Sequence, residues 1–158
     1  MQTQSIEKRN GNLKYSPTVR DLMTPEVFTL NEEDSFNMVD TMMKWRRIRH
    51  VPVVDEYGAL VGLVTHRDFL KVAVSRLSEA DPVELKKAYK NIKVKEIMQP
   101  DVLAAPPTLP IAEAAQLMHE NKFGCLPVVE EGKLVGIITE ADFVRAFFDW
   151  EVKFTDED

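Results

Sequence analysis

Two segments of the chain place apolar side chains on one face of a predicted helix. The apolar positions are Ile111, Ala114, Ala115 and Met118 in one segment, and Phe36, Val39 and Met43 in the other. Their spacing of three or four residues predicts an amphipathic helix in each segment. Residues typical of helix starts agree: Asp34 suits the N-cap of the earlier helix, and Pro110 suits the first helical position of the later one.

Each predicted helix is followed by two short apolar runs that flank a turn containing a glycine. The runs are residues 51–54 and 60–64 in the first case, and 126–129 and 134–138 in the second. Their β-branched residues predict antiparallel hairpins. A second helix is expected to begin near Thr65 and near Thr139. Ahead of each unit, a helical turn should stop at Pro25 or Pro100, because the residue before proline avoids helical geometry, and a brief extended piece should follow.

The two groups of elements are copies of one unit. Residues 19–71 match residues 94–145. The two copies are offset by 75 residues, and the offset becomes 74 after Tyr57, which has no counterpart in the second turn. Such a repeat determines the architecture. A unit of about 50 residues buries too little surface to be stable alone. The predicted fold class is therefore α/β (α+β), with two β-α-β-β-α repeats packed sheet to sheet about a pseudo-two-fold axis.

The repeats divide the chain into five expected segments. These are a flexible N-terminal lead at 1–16, the first repeat at 17–74, a connecting helix at 75–92, the second repeat at 93–152 and an acidic tail at 153–158. The connecting helix is expected to start at Asp81 and Pro82, which form a helix-start signal.

Composition narrows the functional class. The net charge of −6 argues against a general nucleic-acid binder, which would show a basic face. The single cysteine, Cys125, excludes an internal disulfide framework and fits a reducing compartment. No apolar run approaches the roughly 20 residues that span a bilayer, and the N-terminus lacks a secretion signal. We therefore expect a soluble, cytoplasmic protein that does not contact membranes.

Both copies end their last strand with glycine, two apolar residues, threonine, two variable residues and aspartate. The two motifs are residues 62–68 and 136–142. The structural interpretation is a capping box, in which the threonine and aspartate cap the following helix. The functional interpretation is a nucleotide site. The glycine would let a flat group approach the strand, the helix N-terminus would favour an anion, and the carboxylate would accept from two neighbouring ribose hydroxyls.

The order of motifs in both copies resembles a pair of cystathionine-β-synthase (CBS) domains, a Bateman module. The shared motifs are Met-Thr-Pro-x-Val, an apolar-Pro-Val-Val strand, a Gly-x-Leu-Val-Gly hairpin and Thr-x-x-Asp, with Gln99 in the second copy where the first has Thr24. The resemblance implies two clefts that bind AMP, ADP or ATP, with S-adenosylmethionine or a dinucleotide as less favoured ligands. It also implies a homodimer that regulates a separate, unknown protein and needs no cofactor.

Carried over residue by residue, the resemblance assigns two sets of ligand-binding side chains. One cleft would join Thr139 and Asp142 to Thr24, Val27, Phe28, Arg49 and His50. The other would join Thr65, His66, Arg67 and Asp68 to Val102, Leu103, Gly124 and Cys125. The aspartates would hold ribose, and the cations would meet phosphate. The Arg49-His50 pair has no basic counterpart at Gly124 and Cys125, so the clefts should differ in charge.

Two alternatives to this interpretation remain open. The Arg46–His50 cluster is explained equally well by the negative end of a helix dipole. The repeats could also form a ligand-independent structural or protein-interaction module. An enzyme is not expected, because the sequence shows no nucleophile with a base and no metal-ligand spacing. The aromatic residues near the C-terminus suit either a core or a dimer face.

Overall fold

The computed structural model describes residues 16–77 and 81–155. The helices are α1 (Val19–Leu22), α2 (Phe36–Arg46), α3 (His66–Leu77), α4 (Pro82–Asn91), α5 (Ile111–Asn121) and α6 (Glu140–Thr155), with a 3-10 turn at Val94–Glu96. The strands are β1 (His50–Val54), β2 (Leu60–Thr65), β3 (Cys125–Glu130) and β4 (Lys133–Thr139). The mixed helix-and-strand fold with two repeats is therefore confirmed.

The strands form two antiparallel hairpins with equivalent registers. In β1–β2, His50 lies opposite Thr65, and in β3–β4, Cys125 lies opposite Thr139. The turn glycine Gly58 has φ 82°, a left-handed conformation that side chains rarely adopt. Each hairpin therefore delivers its threonine to the start of the following helix, beside the first residue of the partner strand.

The segments that enter the two repeats are exchanged between them. Thr24 of the first repeat pairs with Ile137 in β4, and Gln99 of the second repeat pairs with Leu63 in β2. The helix α1 follows the same exchange, because Val19 is fully buried in the core of the second repeat. Each hairpin thus gains an isolated backbone bridge from the other copy, so the two repeats share backbone hydrogen bonds as well as apolar packing.

The core of the described residues contains four apolar clusters: one in each repeat, one that joins Phe36, Ala73 and Ile92, and a small one between the hairpins. The exchanged residues Val19 and Val94 lie in the clusters of the second and the first repeat, respectively. Between the hairpins, Leu63 packs with Cys125 and Ile137. This contact joins the two small sheets, and the candidate ligand-binding motifs begin at the ends of the same strands.

The helix boundaries differ from several of the predicted ones. The N-cap of α2 is Ser35, because Asp34 instead accepts a hydrogen bond from the Asn31 amide at 2.7 Å. Pro110 is the N-cap of α5, since its ψ of 137° is extended rather than helical. The connecting helix does begin after Asp81, with Pro82 as its first residue.

The expected segment ends also shift. Helix α3 continues to Leu77 and α6 to Thr155, so both helices extend past the repeat ends expected at 74 and 152. The expected lead at 1–16 lies almost wholly outside the described residues, as does the tail beyond residue 155.

Candidate ligand-binding clefts

The Thr-x-x-Asp motifs form the capping boxes that the sequence suggested. Asp68 Oδ2 accepts from the Thr65 amide at 3.0 Å and from the Thr65 hydroxyl at 2.6 Å. Asp142 Oδ2 accepts from Thr139 in the same way, at 2.8 and 3.0 Å. The two aspartates are only 8% and 6% exposed. Because the cap uses Oδ2 in both repeats, Oδ1 is the oxygen that remains for a further donor.

A cavity of about 620 Å³ opens between the two repeats beside Thr65. Nine predicted site residues line it: Arg49, His50, Thr65, His66, Arg67, Val102, Leu103, Gly124 and Cys125. Asp68 adjoins the cavity through its hydrogen bonds to Thr65 and to Gln99, both of which line it. The volume lies in the range of small-molecule sites, roughly 300–1,000 Å³.

The structure corrects the grouping of Arg49 and His50. They were expected in the cleft of Thr139 and Asp142, but they line the same cavity as Thr65. The cause is the hairpin register, which places His50 directly opposite Thr65. The His66 amide also donates to the Arg49 carbonyl at 2.8 Å. The basic pair therefore lines the cavity beside Thr65, together with Glu140 of the second motif.

The motif glycines have a different role from the one expected. Gly62 was interpreted as a space for a flat ligand, yet a Cβ there would lie 2.5 Å from Met98 Sδ and 3.2 Å from the Gln99 carbonyl oxygen. Gly136 faces Met23 and Thr24 in the equivalent way. The absent side chains therefore make room for the exchanged entry segments, which pack directly against the strands.

The cavity carries charges of both signs. Its cations are Arg49, Arg67 and Lys122, and its acids are Asp101 and Glu140. Three cations near one another suit an anionic group, such as phosphate, better than an uncharged ligand. The charge layout is therefore compatible with a ligand that has both hydroxyls and phosphate.

Burial shifts the pKa values of two groups that line the cavity, His50 and Cys125. Desolvation lowers the pKa of His50, the nearby Arg49 lowers it further, and Glu140 opposes both effects. Desolvation also raises the pKa of the Cys125 thiol to about 12. A thiol that stays protonated near neutral pH is a poor nucleophile, so Cys125 serves as part of the wall.

The site at Asp142 has different surroundings. Arg145 donates to Asp142 Oδ1 at 2.7 Å. Thr24 reaches this end of β4 through its bridge to Ile137. Val27 instead packs against the cluster between the hairpins, while the half-exposed Phe28 ring lies 4.3 Å from the Arg46 guanidinium carbon. The structure thus brings Thr24, Thr139 and Asp142 to one end of β4.

Seven residues that line the cavity were not among the predicted site residues: Leu63, Leu70, Gln99, Asp101, Lys122, Phe123 and Glu140. Gln99 contacts Asp68, and Lys122 supplies a cation at the C-cap of α5. The signal for Gln99 was present, because it occupies the position of Thr24, which was selected in the first copy. Lys122 follows a helix, and no local pattern relates it to Thr65.

Two further features of the described chain bear on the alternatives. No group of three or more histidine, cysteine, aspartate or glutamate residues in 16–77 and 81–155 is arranged to hold a metal ion. Over the same residues, no helix is long and apolar enough to cross a membrane.

Paired repeats with exchanged entry segments and a capped aspartate beside an inter-repeat cavity define a class of tandem-repeat modules. The sequence pattern of the CBS domain matches residues 19–75 and 94–149, most of the chain. The chain belongs to the CBS domain family and contains two copies of the domain.

Three solved structures support this assignment. A putative acetoin utilization protein (AcuB) from Vibrio cholerae is 33% identical, with a TM-score of 0.75 over 91% of this chain and 98% of that chain. CBSX2, a CBS-pair protein from Arabidopsis thaliana, was solved in complex with AMP and is 30% identical, with a TM-score of 0.71 over 85% and 98%. The CBS domain pair of protein MJ0100 was solved with 5′-methylthioadenosine and S-adenosylmethionine, and it is 28% identical, with a TM-score of 0.69 over 82% and 98%.

The first curated relatives are much longer than the region they share with this chain. A homoserine O-acetyltransferase from Methanococcoides burtonii is 36% identical over 135 residues, which cover 85% of this chain but 25% of that protein. The chain spans 48% and 26% of the next two relatives. The similarity therefore concerns the CBS pair and not the remainder of those proteins.

Proposed function

We propose that this protein is a regulatory module that binds an adenine nucleotide, AMP, ADP or ATP, between its CBS repeats and signals occupancy to a partner protein. The observation that carries the proposal is the inter-repeat cavity, which Arg49, Arg67 and Lys122 line and which the buried Asp68 adjoins through its hydrogen bonds to Thr65 and Gln99. A carboxylate for ribose and cations for phosphate are the two features that a nucleotide requires.

The similar structures support adenosine as the common part of the ligand. CBSX2 binds AMP, and the MJ0100 pair binds two adenosine derivatives that lack phosphate. Arg49, Arg67 and Lys122 offer contacts for phosphate in a cavity that Asp101 and Glu140 also line. We therefore place AMP, ADP and ATP ahead of S-adenosylmethionine.

Signalling would follow from the exchanged architecture. The cavity is lined by both repeats, so a ligand there contacts both and stabilises the arrangement that fits it best. A ligand shifts such an equilibrium only by the difference between its affinities for the two arrangements. The protonated Cys125 thiol provides no nucleophile, and we expect bound nucleotide to be released unchanged.

A homodimer is the second part of the proposal. Equivalent apolar pairs lie on α3 and α6: Leu70 and Val74 on the first, Val144 and Phe148 on the second. All four are at least 44% exposed, an unusual density of apolar surface. Light scattering after size exclusion should give twice the chain mass, and a monomer at micromolar concentration would contradict the dimer.

Calorimetric titration with AMP, ADP, ATP and S-adenosylmethionine tests the ligand. Asp68→Asn keeps an oxygen for the cap but removes the charge that attracts ribose hydroxyls, and we expect about tenfold weaker binding at one cleft. Asp142→Asn is the matched control for the other cleft. The absence of heat and of thermal stabilisation with all four ligands would refute nucleotide binding.

One observation favours the alternative of a ligand-independent interaction module. In both repeats the aspartate accepts from the threonine amide and hydroxyl without any ligand, and in the first repeat the Asp68 amide also donates to the Thr65 hydroxyl oxygen, so the motif has a structural role of its own. That alternative predicts a protein partner whose binding does not change when AMP or ATP is added. Nucleotide-sensitive binding of the partner would exclude it.

A further inference from the structure

The Asp68 carboxylate is already occupied by a side chain of the other repeat. Gln99 Nε2 lies 3.2 Å from Asp68 Oδ1 and 3.1 Å from Oδ2. Oδ2 also receives both hydrogen bonds of the Thr65 cap. The amide group of Gln99 therefore covers the oxygen that a ligand hydroxyl would need.

The backbone of Gln99 is fixed, but its side chain can turn. Its amide donates to the Leu63 carbonyl at 2.9 Å, and its carbonyl accepts from the Leu63 amide at 3.0 Å. Residue 99 is nonetheless exposed and lines the cavity. Rotation about the side-chain bonds can move the amide away from Asp68 without breaking the bridge between the repeats.

In the other repeat, Thr24 occupies the position equivalent to Gln99. Thr24 forms the same pair of hydrogen bonds with Ile137, at 2.9 and 3.0 Å, and Ile137 precedes Thr139 just as Leu63 precedes Thr65. In the described structure the Thr24 side chain donates no hydrogen bond to Asp142. Instead Asp142 Oδ1 pairs with Arg145, whose side chain is 65% exposed.

We propose that Gln99 gates the Asp68 cleft, so that a nucleotide binds there only by displacing its amide from the carboxylate. This inference rests on the proposed function and adds one step to it, the displacement of the Gln99 amide. Because Gln99 belongs to the other repeat, filling the Asp68 cleft also removes an inter-repeat hydrogen bond.

Substitutions that exchange the two residues test the gate. Each cleft is tested with the other one weakened: Asp142→Asn lowers the affinity of the Asp142 cleft, and Asp68→Asn lowers the affinity of the Asp68 cleft. In the Asp142→Asn protein, Gln99→Thr should tighten AMP binding about tenfold, the effect of one hydrogen bond to a charged group. In the Asp68→Asn protein, Thr24→Gln should weaken AMP binding by a similar factor.

A comparison of the affinities for two ligands distinguishes a gate from a general change in packing. AMP and 2′-deoxy-AMP differ only in the 2′-hydroxyl, one of the two hydroxyls that would meet the carboxylate. Gln99→Thr should raise the preference for AMP over 2′-deoxy-AMP, whereas altered packing would change both affinities equally. Thermal unfolding of each variant checks that it is folded, and Thr24→Gln tests the gate should Gln99→Thr fail to fold.

The outcomes distinguish the gate from the proposed function. Binding of AMP to the Asp142→Asn protein with an affinity that Gln99→Thr leaves unchanged or reduces would overturn the gate and leave nucleotide binding intact. A reduced affinity would identify Gln99 as a ligand contact instead. The absence of AMP binding to the wild type and to every variant would overturn both the function and the gate.

Discussion

Replacement of Gly136 by alanine should detach the exchanged entry segment from the second hairpin. A Cβ at this position would lie 2.6 Å from Met23 Sδ and 3.0 Å from the Thr24 carbonyl oxygen. The methionine can rotate away, but the Thr24 carbonyl is held by the Ile137 amide at 3.0 Å. The added methyl group must therefore displace backbone as well as a side chain.

Overpacking of this kind costs about 1–3 kcal/mol of unfolding free energy. Urea denaturation followed by circular dichroism measures the loss as a lower midpoint at an unchanged slope. Gly124→Ala is the matched control. Its Cβ would approach only the imidazole of His50, 2.7 Å from Nε2, and a side chain can move more easily than backbone. Gly124→Ala should therefore cost less than Gly136→Ala.

A double-mutant cycle attributes the cost to the entry segment. Met23→Ala removes the nearer of the two contacts, so Gly136→Ala should be less destabilising in that background, by about 0.5–3 kcal/mol of coupling. Wild-type stability of Gly136→Ala, or a loss no larger than that of Gly124→Ala, would refute the role assigned to this glycine.

Three further predictions concern single residues. Because burial lowers the pKa of His50, the unfolded chain binds more protons below about pH 6.5, so the free energy of unfolding should fall as pH decreases through that value. His50→Gln should flatten this part of the pH profile, and an unchanged profile would contradict the assignment. Cys125, with its pKa raised to about 12, should react with iodoacetamide at neutral pH far more slowly in the native protein than in urea, and equal rates would refute its burial. Arg47 at the C-cap of α2 has φ 53°, a left-handed conformation that favours glycine. Arg47→Gly should therefore raise the free energy of unfolding by up to about 1 kcal/mol, as measured by thermal unfolding. A lower melting temperature would contradict strain at this residue.

The capping boxes show how much of the site was predictable from sequence. The interval between Thr65 and Asp68 is one helical turn, so their hydrogen bonds depend only on where the helix begins. The same holds for Thr139 and Asp142. Helix starts were less exact, since Ser35 rather than Asp34 became the N-cap of α2. Either of two adjacent polar residues can serve as an N-cap, and only the contacts around them decide which one does.

The register of the first hairpin could not be predicted from its strand ends alone. Pairing Val54 with Leu60 and continuing without interruption would place His50 opposite Val64, but the bulge between Val53 and Val54 shifts the pairing so that His50 lies opposite Thr65. Only the folded hairpin therefore shows that Arg49 and His50 line the cavity beside Thr65.

The sequence by itself determined the two repeats, their helices and hairpins, and the capped aspartates at the ends of β2 and β4. Each of these depends on contacts between residues close in the chain, and so each leaves a local pattern. Only the tertiary structure decided that the entry segments are exchanged, that Gly62 and Gly136 accommodate them, and that Gln99 reaches Asp68. Those contacts join residues more than 30 positions apart, and the free energy that selects them comes from burial against the other repeat, which no local spacing records.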